Sequence, residues 1–293
     1  MMPRWIPLVP LLLLLSACGT LPHGGGYYQD DGPDAHPPAD VTDIPDAVPK
    51  PEPRAASGNT PYSVDGKTYF PLADANDYRE RGVASWYGKK FHGKRTSSGE
   101  PYDMYAMTAA HKTLPLPSYV RVRNLQNGRS IVVRVNDRGP FLQNRLIDLS
   151  YAGAAKLGIL GTGTGVVEVD AINPEEPTIQ VAQAKTYPLP IVSSAVAVEE
   201  TPPSPVTAAA PKLYLQVGAF TRRDNAVNLR NRLEHESLRP IFIQPTQASN
   251  GPTPEATRIY RVRIGPLANV EEADRLTRRA AQLGVPDALI VVE

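Results

Sequence analysis

The chain has 293 residues, with 31 prolines, a single cysteine and a formal net charge of +1. That length allows two modest domains separated by proline-rich linkers, and one cysteine excludes an internal disulfide framework. With 5 histidines and no closely spaced ligand pair, a metal centre lacks a scaffold, and neither metal nor cofactor is expected.

Residues 1–17 read as a signal. Arg4 precedes an apolar run from Trp5 to Leu15, and the small residues Ser16 and Ala17 lead to Cys18. The run is far shorter than the roughly 20 residues that span a bilayer, so it is expected to be cleaved rather than retained. Leu15-Ser16-Ala17-Cys18 then makes Cys18 a lipidation site and the first mature residue, tied to a membrane by its acyl chains. Gly19 rather than Asp follows the cysteine, as in bacterial lipoproteins sent to the outer membrane, so a periplasmic, outer-membrane-anchored protein is expected. Residues 18–79 contain Gly24-Gly25-Gly26 and many prolines, with 10 acidic against 4 basic residues over 19–79. Such a stretch predicts a disordered, solvated acidic tether.

Residues 80–172 form the first predicted domain. Period-2 alternation predicts strands at Gly82 to Tyr87, Tyr119 to Arg123, Ser130 to Val135 and Gly165 to Asp170, and Asn127-Gly128 marks a hairpin turn. Ser150 caps one convincing helix, Tyr151 to Leu157, which Gly158 ends. Short strands with one small helix suggest a compact barrel. Three polar clusters interrupt it, at Ser98-Gly99-Glu100, Ala109-Ala110-His111 and Asn136-Asp137-Arg138-Gly139-Pro140, each expected at a strand end or loop. Asp137 directly follows an apolar strand, where its carboxylate is either a proton-transfer group near buried surface or a turn residue bonding local N–H groups. Trp86 and Tyr87 offer an apolar platform for a sugar ring or simply core.

Four strings in this domain resemble the rare lipoprotein A (RlpA) family: Gly82 to Gly88, Thr96-Ser97-Ser98-Gly99-Glu100, Thr108 to Pro115, and Val135 to Phe141. The resemblance implies a double-psi β-barrel and cleavage of peptidoglycan, with Asp137, Glu100 and His111 as catalytic candidates. Trp86, Tyr87, Asn136 and Arg138 are candidate substrate contacts. Asp137 is the expected acid/base, with Glu100 and His111 positioning the sugar or tuning its proton.

Residues 173–211, rich in Pro, Ala, Val, Ser and Thr without periodicity, predict a linker. Residues 212–293 predict a βαββαβ domain: strand Leu213 to Phe220, helix Asp224 to Glu236, strands Pro240 to Gln244 and Ile259 to Ile264, helix Val270 to Leu283 and strand Ala288 to Val292. Gly218, Ala226 and Leu229 recur at equal spacing as Gly265, Ala273 and Leu276, an internal repeat that places two helices on one side of a four-stranded sheet. Leu213 to Phe220, Asn225-Ala226 and Tyr260 to Pro266 resemble the SPOR domain. That resemblance implies binding to septal glycan stripped of its stem peptides, with Gln216 and Arg261 on the glycan-facing sheet surface. The topology is shared with RNA-recognition modules, but their stacking aromatics are missing and export removes the chain from nucleic acid, so no nucleic-acid partner is expected.

The fold class expected is therefore mainly β plus α+β. The function implied is a septal lytic transglycosylase acting on denuded peptidoglycan, with division-site proteins as possible partners. A non-catalytic, expansin-like glycan binder and a two-carboxylate hydrolase are the alternatives. Both domains carry excess basic charge, 13 against 7 over residues 80–172 and 12 against 9 over 212–293, suited to the lactyl carboxylate of bare muramic acid. Removal of residues 212–293 is expected to weaken placement more than cleavage.

Overall fold

The computed structural model describes residues 31–174, 211–247 and 258–293. The expected signal, Cys18 and most of the 173–211 linker lie outside these residues. No helix among the described residues is long and apolar enough to cross a membrane.

Six strands close a barrel in the order β3-β7-β4-β6-β5-β8. They are β3 (Arg79–Trp86), β4 (Thr108–His111), β5 (Ser118–Asn124), β6 (Ser130–Asp137), β7 (Ile147–Leu149) and β8 (Gly165–Ile172). Two pairs are parallel, β3 with β7 and β4 with β6, and the others antiparallel. Alternation drives the long strands: Val120 and Val122 are fully buried while Arg121 and Arg123 face out. Val133, Val135, Ile147, Leu149 and Val167 fill the interior. The helix α1 (Tyr151–Leu157) packs on this core as expected, with Ser150 Oγ accepting the Gly153 N–H and Gly158 ending it at φ 79°.

The solvated tether is corrected by the structure from residue 31 onward, because that stretch wraps the barrel. It forms a hairpin, β1 (Tyr62–Val64) with β2 (Lys67–Tyr69), whose Tyr62 and Tyr69 stack at 5.3 Å and meet Phe141. Ala47 N bonds Val132 O, Ala55 N bonds Leu116 O and Leu72 N bonds Thr113 O. Asp46 accepts from Val132 N and Lys156 Nζ, and Glu52 pairs with Arg134. The segment has too little apolar surface for a core of its own. Its non-proline N–H groups instead donate to barrel carbonyls, and its carboxylates satisfy barrel donors.

The second domain has the expected βαββαβ order: β9 (Leu213–Phe220), α2 (Arg223–His235), β10 (Ile241–Gln247), β11 (Arg258–Leu267), α3 (Val270–Gln282) and β12 (Leu289–Val292). The antiparallel sheet runs β10-β11-β9-β12. Leu213, Leu215, Val262 and Ile264 pack against Ala226, Leu233, Ala273 and Ala280 of the helices. Gly265, at φ 137°, brings the β11 backbone against β9, where a Cβ would lie 2.9 Å from Leu213 O.

The two domains share a contact. Val83 and Val166, on the outside of the barrel, join the second domain's buried cluster. Arg145, buried at 3%, forms a two-pronged ion pair with Asp274 of α3 at 3.1 and 2.5 Å. Asn144 accepts from Ile290 N and donates to Ala288 O, pairing with the backbone around the start of β12.

Candidate active site

The catalytic candidates sit around the end of β6. The loop from Thr96 to Glu100 folds over it, closed by Thr96 N to Glu100 O and tied down by Ser98 N to Asn136 O. Asp137 Oδ1 accepts three hydrogen bonds: Ser97 N at 2.8 Å, Ser97 Oγ at 2.7 Å and Arg138 N at 2.7 Å. Among the described residues nothing donates to Oδ2. One carboxylate oxygen is thus fixed, and the other is left for a reacting proton.

Glu100 faces a different way. Arg134 grips its carboxylate at 2.8 and 3.0 Å and Asn136 Nδ2 adds a bond at 3.0 Å. The Arg134 hydrogen bonds hold Glu100 below the usual carboxylate range, which suits a fixed negative charge and not an acid. His111 is 2% exposed. Its Nδ1 accepts from Thr113 N and Leu114 N, so the proton sits on Nε2, facing the Tyr78 hydroxyl at 2.9 Å. Burial, and then the fields of Lys112 and Arg138, push its pKa down to about 3. Among the described residues no hydrogen bond or ion pair joins Asp137 to Glu100 or His111. The three do not form a triad, and His111 closes β4, at a strand end as expected.

A residue the sequence reading passed over is brought to the site instead. Strand register aligns Ser85 of β3, Asp148 of β7, Ala110 of β4 and Asp137 of β6 in one row. A register irregularity between Ala109 and Ala110 brings Asp137, not Asn136, opposite Ala110, so Asp148 and Asp137 stand two strand spacings apart, roughly 9.5 Å between their backbones. Ser85 Oγ donates to Asp148. Asp148 keeps some solvent contact, but its carboxyl is packed round by protein, and that burial pushes its pKa up to about 6 against the Ser85 bond and the Arg145 and Lys112 charges. The Tyr87 hydroxyl lies within the field of both carboxylates, its pKa raised first by burial. It and Thr108 Oγ1 are both buried.

Trp86 and Tyr87 are 4% and 8% exposed and pack edge-on to Tyr151 and face-to-face with Tyr102. They are core, and neither offers a ring face to a sugar. Arg138 is likewise buried, its guanidinium bonded to the carbonyls of Gly58, His111 and Leu114, so it ties the wrapping segment to the turn after β4 rather than contacting substrate. Asn136 is 3% exposed and serves Glu100. Two open clefts of about 910 and 890 Å3 flank the barrel, and neither is lined by Asp137 or Glu100. Asp137 instead stands on a partly exposed shelf.

On the second domain, Gln216 and Arg261 project from the sheet surface opposite the helices. Register puts Arg261 beside Gln244, and Gln216 beside Arg263. Arg263 was not singled out from sequence; it is 2% exposed, clasped by Gln244 and Glu293 and set 5.9 Å over the Tyr214 ring.

A family model described as lytic transglycolase matches residues 79–170, and a SPOR domain model matches residues 209–291. A Pseudomonas aeruginosa protein titled endolytic peptidoglycan transglycosylase RlpA is 44% identical over 303 residues, covering 90% of this chain and 86% of that protein. This chain belongs to the RlpA family. A Vibrio cholerae RlpA is 48% identical over 188 residues, covering 63% of this chain and 72% of its own, and a Neisseria meningitidis RlpA is 57% identical over 129 residues, covering 44% and 54%. As an RlpA-family member the chain carries both modules the strings suggested, a double-psi barrel and a SPOR domain.

Proposed function

We propose that this chain is an endolytic lytic transglycosylase that cuts the MurNAc–GlcNAc bond of peptidoglycan and leaves 1,6-anhydroMurNAc ends. The reading is supported by Asp137, whose Oδ1 is saturated by three donors while Oδ2 stays open. The reaction needs one proton delivered to the departing glycosidic oxygen and one taken from the C6 hydroxyl of muramic acid as it closes on C1. No water is consumed. Asp148, whose pKa of about 6 lets it hold a proton near neutrality, protonates the leaving oxygen. Asp137 accepts the C6 proton and stabilises positive charge growing at C1. Glu100 keeps the Arg134–Asn136 side of the shelf in place.

Preference for strands lacking stem peptides follows from the SPOR sheet surface, where Gln216 and Arg261 face the glycan, and from linkage of binding and cutting modules in one chain. Lipidation at Cys18, outer-membrane anchoring and action at the septum with division-site proteins belong to the same reading. The test is mass analysis of peptide-free glycan strands incubated with the chain from residue 19 onward, beside Asp137→Asn. Ends lighter by one water, lost at least about 100-fold in Asp137→Asn, are expected for loss of a proton-transfer group. Hydrated ends would make it a hydrolase, and intact strands that still bind would favour the expansin-like alternative.

A further inference from the structure

The turn after β3 holds a carboxylate that comes from far along the chain. Gly88 N donates to Asp31 Oδ2 at 2.7 Å and Lys90 N to Asp31 Oδ1 at 3.0 Å. Gly32 N also donates to Oδ1, at 2.8 Å. Gly32 O returns a bond to Lys89 N at 2.9 Å, while Asp34 pairs with the Lys89 ammonium and accepts from the Tyr105 hydroxyl. Main-chain N–H groups converging in a turn form a nest that favours an anion without needing a basic side chain at its centre. Gly88 is required for this approach, since a Cβ there would lie 2.0 Å from Gly32 O.

The nest is linked to the candidate site through Tyr87, whose hydroxyl lies in the field of Asp137 and Asp148. Gly88 follows Tyr87 directly, and Tyr102, stacked on Tyr87 at 4.0 Å, donates to Tyr87 O at 2.6 Å. The Asp31 charge is felt at both Asp148 and Tyr102. The occupant is a single carboxylate, supplied by a residue 57 positions before Gly88.

We propose that the Gly88–Lys90 nest is a subsite for the free lactyl carboxylate of muramic acid, and that Asp31 of the chain's own tether occupies it in the resting protein. The assignment rests on the reading of the shelf as a muramyl-glycan site. Muramic acid stripped of its peptide presents one such carboxylate, whereas a stem peptide converts it to an amide with no charge. The nest therefore discriminates bare from substituted sugar within the barrel itself, independently of the SPOR domain. Asp31 competes intramolecularly, so the apparent affinity for substrate falls by the fraction of chains in which the nest is open.

The experiment uses the full mature chain with Asp137→Asn, so that nothing is cut, with and without Asp31→Ala. The probes are the disaccharide GlcNAc–MurNAc, which has a free lactyl carboxylate, and chitobiose, which has none. The backbone amide resonances of Gly88 and Lys90 are followed by NMR during titration. With Asp31→Ala, both amides are expected to shift with the muramyl disaccharide, with an affinity at least about threefold above the Asp31 parent, and to stay still with chitobiose. Asp31→Asn, which keeps the side-chain shape but drops the charge, should give an intermediate gain. Unmoved amides, or equal movement with both sugars, would overturn the assignment and leave residues 31–34 as a structural strap. Cleavage is read separately on the chain with Asp137 intact: nest binding without anhydro products would refute the enzyme reading alone, and anhydro products with a silent nest would refute the subsite alone.

Discussion

At residue scale, the three polar residues carried by the family strings separate into different jobs. Asp137 keeps an open oxygen at the surface, Glu100 is an anion clamped by Arg134, and His111 is a buried neutral ring. For His111 the folded pKa, about 3, lies below the ordinary imidazole value of 6.5. The unfolded chain therefore takes the proton first, and the stability contributed by neutral His111 is present above pH 6.5 and lost as pH falls toward 3. Nitrogen shifts of the ring should report an unchanged Nε2–H tautomer from pH 8 to 5, and a midpoint near 6.5 would restore His111 as a proton carrier. Asp148 runs the other way, with a folded pKa of about 6 against 3.8. The folded state holds this proton more tightly, so its contribution is fully present below pH 3.8 and disappears as pH rises through 6, a swing of roughly 3 kcal/mol. Asp148→Asn should flatten the stability curve in urea between pH 4 and 7 and leave the protein more stable than the parent at pH 7.5, while cleavage falls. Undiminished cleavage would remove Asp148 from the mechanism.

At element scale, β3, β5, β6, β8 and α1 were legible because each is long enough to show its period or carries its own cap. β4 and β7, of 4 and 3 residues, were not, since Thr108-Ala109-Ala110-His111 and Ile147-Asp148-Leu149 are too short for alternation to stand out. Missing β7 meant missing Asp148. The proline-rich stretch from residue 31 was read as solvated because composition reports what a segment can bury by itself, and here its partners are barrel donors. Asp46 is one of its anchor points, accepting from Val132 N at 3.0 Å and Lys156 Nζ at 2.7 Å. Asp46→Ala should cost about 1–2 kcal/mol in urea unfolding and speed hydrogen exchange at the Val132 amide. An unchanged exchange rate there would show that this strap is not held at Asp46.

At the scale of the whole molecule, the SPOR domain is seated on the barrel as well as joined to it by sequence. Val83 and Val166 complete its apolar cluster, and the Arg145 side chain, 1% exposed, has Asp274 as its carboxylate partner. Removing that partner leaves a buried guanidinium unpaired. Asp274→Ala should therefore cost about 3 kcal/mol, the lower end for a broken buried pair because Asp274 is itself partly exposed. A loss in calorimetric or urea-derived stability below about 0.5 kcal/mol would mean the contact is a surface pair. The seating also modifies the expectation for a chain truncated before residue 212: it should lose barrel stability as well as placement, because the truncation bares two valines.

The sequence by itself determined the two modules and their order, the capped helix and the internal repeat of the second domain, because these rest on local periodicity and short contiguous strings. Only the tertiary structure decided that Asp148 joins the strand row of Asp137 across Ala110 and that His111 is buried against Tyr78. It alone placed Asp31 at the Gly88–Lys90 nest and joined the two domains through Arg145. Each of those depends on strand register or on contacts between residues tens to more than a hundred positions apart, and neither composition nor local pattern encodes a distance through space.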